Sequence, residues 1–293
     1  MKIDARTKGI LIVTMAGVVW SLQGGTIRMV EEASGSQIVF WRGLSQSVTL
    51  LIMVAIINRG RVISAFRRAG VVGVIGGLCT VVASTCFVFG LLHTTVANVV
   101  FTLASSPLVA GLLAWLIMRE RLPKRSIIAM IVALGGIGLM VSEGLVSGNL
   151  TGHLFAIATT IGFAGITVVA RWGGGLDMIP AACWGAIFTS VTAALLAGGD
   201  LAISPPDLAA SVFSGGVLTA CGAFCFFFGA RFVPAAVLAF LSLTEVVLAP
   251  IWVWIGFNEV PSTYTLIGGA IVLGAITSEA LSRIVQTSRE PTT

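Results

Sequence analysis

Apolar positions in this chain come in continuous runs of about twenty, separated by short clusters of charge, glycine and proline. Ten such runs can be cut, at 9–29, 37–57, 70–91, 96–118, 126–143, 152–170, 179–198, 209–230, 235–256 and 263–281. At a rise of about 1.5 Å per residue, roughly 20 residues cross the hydrocarbon core of a bilayer. A barrel strand would alternate apolar and polar positions, and an open sheet would leave backbone groups unpaired in lipid. The pattern predicts an all-α integral membrane protein of ten transmembrane helices.

Composition agrees. Of 293 residues, 57% are hydrophobic and only 10% charged, against about 25% charged in a soluble domain. The net charge of +5 does not indicate nucleic acid, because no basic patch is interleaved with aromatics. Placement of the charges is more telling. With ten spans, fifteen of the seventeen Lys and Arg residues fall on one side, including Arg59, Arg61, Arg67, Arg68, Arg119, Arg121 and Arg171. Arg28 lies near an outer loop and Arg42 inside a span, while Glu31, Glu32, Glu143, Asp200, Asp207 and Glu259 lie outside. By the positive-inside rule both termini are expected in the cytoplasm, with the protein in the inner membrane. The first run continues to Met29 without an A-x-A site, as expected for a retained span rather than a cleaved signal. The segment NRGRVISAFRRAG at 58–70 fits a short interfacial helix whose arginines set topology. Five cysteines, Cys79, Cys86, Cys183, Cys221 and Cys225, all fall in apolar runs without a CxxC spacing and are expected to be plain hydrophobes.

The two halves repeat. ASSPLVAGLLAWLIMRERLP at 104–123 and LTEVVLAPIWVWIGFNEVP at 243–261 both pass from a polar or proline-broken centre through Trp115 or Trp254 to Glu120 or Glu259, 139 positions apart. A glycine-rich apolar run follows each. The fourth span thereby matches the ninth, so each half, 1–143 and 144–293, holds five helices. An odd number inverts the second half relative to the first, an arrangement found in secondary transporters with the substrate near the midplane. The stretches AGVVWSLQGGTIR, WRGLSQSVTLL, GLLHTTVANVVFTLASSPLVAGLLAWLIMRERL and GARFVPAAVLAFLSLTEVVLAPIWVWIGFNEVPSTYTLIGGAIVLGAI resemble the EamA-like family of the drug/metabolite transporter superfamily. The resemblance implies ten helices in two inverted units and secondary transport of small metabolites, often export of amino acids or drugs. Val246 stands where that family usually has a proline after the glutamate, leaving Pro250 to supply any kink.

Polar residues buried in such runs are the candidate site. Glu245 is about ten residues from either end of its span, on the order of 15 Å from water along the axis. An ionised carboxylate there costs several kcal/mol, and protonation or a partner relieves it. It is read as a proton carrier or an anchor for a substrate amino group, with a structural acid hydrogen-bonded to Ser242 or to another helix as the alternative. Trp20, Gln23, Asn98, Ser105, Ser106, Phe163 and Phe224 join it as candidate substrate contacts. Arg42, His93, Pro107 and Pro250 are candidates for gating or coupling: the Arg42 fork suits a carboxylate, with packing and snorkelling to the outer interface as an equal alternative, Pro107 frees a backbone carbonyl, and His93 otherwise simply caps its helix. For the polar residues singly, inter-helix hydrogen bonding is an equally good account. No HExxH, GxSxG or Walker loop occurs. The sequence therefore predicts no enzyme, no metal and no cofactor. Its expected partners are a small-molecule substrate, the lipid bilayer and protons, with a monomer or homodimer as the assembly and no nucleic acid. Export of a small metabolite such as an amino acid leads. A proton-coupled importer of nucleobase- or amine-type solutes, or a drug transporter, is the alternative, and a non-transporting sensor is a third reading.

Overall fold

The computed structural model describes residues 5–119, 123–147, 150–174, 178–233 and 235–287. Among these every regular element is a helix, with no strand. The helices are α1 (Ala5–Ser21), α2 (Gln23–Arg28), α3 (Gly35–Ile57), α4 (Val62–His93), α5 (Val96–Ala104), α6 (Ser106–Met118) and α7 (Lys124–Ser147) in the first half. The second half holds α8 (Leu150–Trp172), α9 (Ile179–Leu196), α10 (Pro205–Val212), a π-helical segment Phe213–Thr219, α11 (Ala220–Ala230), α12 (Ala235–Phe257) and α13 (Thr263–Thr287).

Among the described residues, eight continuous helical stretches are long and apolar enough to cross a membrane, and a ninth is the pair α5–α6, bent by 42°. The remaining expected span is α12, of which Leu241–Phe257 is a shorter apolar helix among the described residues. Leu195, Ile63, Ile56 and Ile255 project outward, as side chains facing lipid do. Local chemistry sets the helix starts. Ser34 and Gln37 form a capping box before α3, Thr95 accepts from the Asn98 N–H, and Ser204 accepts from the Asp207 N–H ahead of two prolines. The arginine segment differs from expectation: Val62–Ala69 runs into α4 and is set off from it only by a break at Gly70 (φ 49, ψ −141).

Packing pairs the halves. α3 lies on α9 and α7 on α13; α4 on α8 is mirrored by α11 on α1, and α5 and α6 on α8 by α12 on α1. Small residues permit the closest approaches: a Cβ on Gly136 would stand 2.7 Å from the Gly268 carbonyl, and one on Gly162 would stand 2.6 Å from the Ala83 nitrogen. α5 departs from the mirror. α5 packs on α13 as well as on α8 and α12, and all nine of its residues are buried. It is a central apolar strut at the end of the molecule where α4 meets α5.

Candidate binding site and sealed end

Arg42 sits on α3, 4% exposed, and draws three elements together. Its Nη1 donates to Ser84 Oγ of α4 at 2.7 Å; its Nη2 donates to Gln23 Oε1 of α2 at 2.5 Å and to Thr219 Oγ1 at 3.0 Å. The guanidinium also lies 5.6 Å from the centroid of the Phe87 ring. Its Nε is buried with no partner. Thr219 closes the π-helical segment, and its hydroxyl stands 3.0 Å from Gln23 Oε1 and 2.8 Å from the Ser214 carbonyl. Short π-helical stretches inside α-helices often mark functional positions, because the wider turn leaves backbone groups free to bond elsewhere. Gly215 in the same segment lies directly on the Arg42 carbonyl, with no room for a side chain. Trp20 completes the wall, its Nε1 donating to the Thr219 carbonyl at 3.4 Å and its ring 5.4 Å from Phe226.

Glu245 is half-buried on α12, which packs along α1. No ion pair within 4.0 Å joins Arg42 and Glu245. Glu245 makes no side-chain hydrogen bond to a described residue. The structural alternative through Ser242 does not form: Ser242 Oγ donates to its own helix at Leu238.

Other candidates lie apart from this cluster. Asn98 belongs to a network at the α4–α5 end, donating to Thr94 Oγ1 at 3.0 Å and accepting from Thr265 Oγ1 at 2.7 Å. Ser105 bonds to the Thr102 carbonyl, and Ser106 and Pro107 begin α6 at the bend. His93 Nδ1 is 2.8 Å from the Phe89 carbonyl, so it ends α4, its ring between Phe89 and Phe155. Phe163 is 37% exposed, and Phe224 stacks on Phe228 and packs with the apolar cluster around Leu50. Pro250 lies inside an unbroken α12. Glu120 and Arg121 fall outside the described residues.

The α4–α5 end is sealed by contacts that the sequence reading did not assign. Arg28 Nε donates to Glu259 Oε2 at 2.7 Å, the two side chains 24% and 15% exposed. The Arg28 Nη groups donate to the Leu91 and Thr94 carbonyls at 2.6 and 2.8 Å, and Glu259 Oε1 accepts from the Val96 N–H at 2.6 Å. Beside this, Ser262 donates to Glu143 at 2.5 Å, and Asp207 accepts from the backbone N–H groups of Glu31, Glu32 and Ala33. Each of these three contacts ties the first half to the second. Arg28 was visible in the sequence as the lone arginine on an acidic side; its partner, 231 positions away, was not.

Residues 7–142 and again 150–278 match the EamA-like transporter family. The chain is 26% identical over 289 residues to the uncharacterized transporter YwfM of Bacillus subtilis (strain 168), covering 95% of this chain and 96% of that protein. A crystal structure at 17% identity shares the fold with a TM-score of 0.63, over 94% of this chain and 98% of the other. The chain belongs to the EamA-like transporter family and is a multi-pass membrane transporter.

Proposed function

We propose that this chain is a secondary active transporter that exports small zwitterionic metabolites such as amino acids across the inner membrane, with substrate held between Arg42 and Glu245. One observation carries this reading: the buried Arg42 guanidinium has its Nε unpaired, Glu245 has no hydrogen bond to a described residue, and no ion pair joins the two. Leaving a buried charge uncompensated costs several kcal/mol. A carboxylate arriving at Arg42 and an ammonium at Glu245 would satisfy both charges at once. The outward direction is taken from the family resemblance alone. Alternating access would move two inverted five-helix units about this site, and the Arg28–Glu259 latch is the contact that must open at the sealed end.

Counterflow of radiolabelled amino acids in proteoliposomes tests the proposal. Arg42→Gln keeps hydrogen-bonding capacity and loses the charge and the fork, so amino-acid flux should fall at least tenfold while the protein stays monodisperse. Amino-acid flux unchanged in Arg42→Gln would remove the carboxylate site.

A further inference from the structure

The turn between α3 and α4 leads into a short helix set off from its span. After α3 ends at Ile57, Arg59 (φ 50) and Gly60 (φ 81) carry the chain through the left-handed region. Val62–Ala69 is then helical until Gly70, with its own positive φ, breaks it from the rest of α4. A short helix is thus held at an angle to the span by a special backbone position at each end. Against it, Leu51 of α3 and Trp184 and Ile187 of α9 complete an open apolar groove that also includes Phe66 and Val74. A second concavity, lined by Gly60, Arg61, Ser64 and Arg67, shares Val62, Ile63 and Arg67 with that groove. The two adjoin along these residues, making a slot that is basic at its mouth and apolar along its length. It straddles the seam between the halves, because α3 and α9 belong to different halves.

The charges at the mouth are uncompensated. Arg68 is tied to the turn, its Nη2 donating to Asn58 Oδ1 at 2.8 Å. The exposed side chains of Arg61 and Arg67 make no hydrogen bond or ion pair with a described residue. No Asp or Glu occurs between Glu32 and Glu120. A guanidinium fork matches two phosphate oxygens, and the slot behind it accepts only hydrocarbon. Free phosphate would leave the slot unused. A choline or ethanolamine headgroup would bring its own cation against the arginines.

We propose that this slot binds an anionic phospholipid, with the phosphodiester on Arg61 and Arg67 and an acyl chain along Phe66, Val74 and Trp184. The site is independent of the transport site and of the identity of its substrate. The arginines then do more than orient the chain, since orientation needs only their charge, whereas the slot needs their geometry.

The test is lipid retention by the full-length protein. Purified protein extracted from bilayers of equal phosphatidylglycerol and phosphatidylcholine is examined by native mass spectrometry, and its thermal midpoint is followed as each lipid is added back. Phosphatidylglycerol should be retained at least tenfold over phosphatidylcholine and should raise the midpoint saturably. R61K/R67K keeps the charge that orients the chain but not the fork, and the preference should fall several-fold; R61Q/R67Q should abolish it. Inorganic phosphate and glycerophosphoglycerol, which lack acyl chains, should not raise the midpoint. Equal retention of the two lipids, wild-type retention by R61Q/R67Q, or equal protection by inorganic phosphate would each overturn the proposal.

Discussion

A carboxylate at the centre of a span has few uses if it neither bonds nor pairs, and Glu245 does neither among the described residues. Glu245→Gln preserves its size while removing both its charge and its ability to carry a proton. If Glu245 holds a proton or a substrate ammonium, the variant should insert and fold as the wild type does, because a neutral amide is cheaper than a charge in the bilayer. Substrate flux against pH in proteoliposomes should fall at least tenfold or lose its pH dependence. Superimposable profiles at matched protein levels would leave Glu245 a packing residue. Glu245, Arg42 and Gln23 were legible in the sequence because polar groups stand out in apolar runs. Ser84 and Thr219, which complete the Arg42 cluster, were not. Serine and threonine are common in membrane helices, where they usually bond their own backbone as Thr80 and Thr160 do here. A one-dimensional pattern cannot distinguish the hydroxyl that reaches another helix.

Breaks between helical elements place these side chains, and they were read unevenly. The bend before Pro107 appears as expected between α5 and α6, whereas Pro250 leaves α12 continuous. The π-helical segment carries no residue that demands it; its Gly215–Gly216 pair is intelligible only once Arg42 is seen lying on it. A short interfacial helix was expected over 58–70, but its continuation into α4 past Gly70 was not, and the apolar slot behind it depends on α9, which is distant in sequence. At the sealed end, α2, the start of α5 and the end of α12 are held by Arg28 and Glu259. A hydrogen bond to a charged group contributes about 1.5–3 kcal/mol, and about 1.4 kcal/mol changes an equilibrium tenfold. Removing the pair should therefore raise the population open at this end by roughly ten- to a hundredfold. With Ser84→Cys as a reporter near Arg42, Glu259→Gln should label at least tenfold faster with an impermeant maleimide applied from that side. The double variant Arg28→Glu with Glu259→Arg should restore part of the protection, which a merely misfolded end would not regain. Labelling as slow as in the wild-type background would show that the pair does not control access.

At the scale of the molecule, the helix pairs fall into a set that is mirrored when the halves are exchanged, with α3 on α9 and α7 on α13 along the seam. Two-fold matching to one family agrees with this. Continuous apolar runs and the recurrence of a Trp–acid–Pro pattern made the repeat legible, because both survive divergence of the individual side chains. The break in the mirror was not legible, since it depends on how α5 packs against α13 rather than on the composition of either. Whether the second half is inverted depends on sidedness, which the arginine distribution predicts: Arg59 and Arg171 inside, and residues 145–149 outside, because an odd number of spans separates Arg59 from them. Replacing all five cysteines by alanine or serine should leave flux within a few-fold, since none forms a disulfide, and this provides the background for mapping. In intact cells Asn149→Cys should react with an impermeant maleimide, while Arg59→Cys and Arg171→Cys should react only after permeabilisation. If Arg59→Cys labels from outside together with Asn149→Cys, an even number of spans lies between them. The halves would then be parallel, and a pseudo-two-fold axis in the membrane plane, on which the alternation of access rests, could not exist.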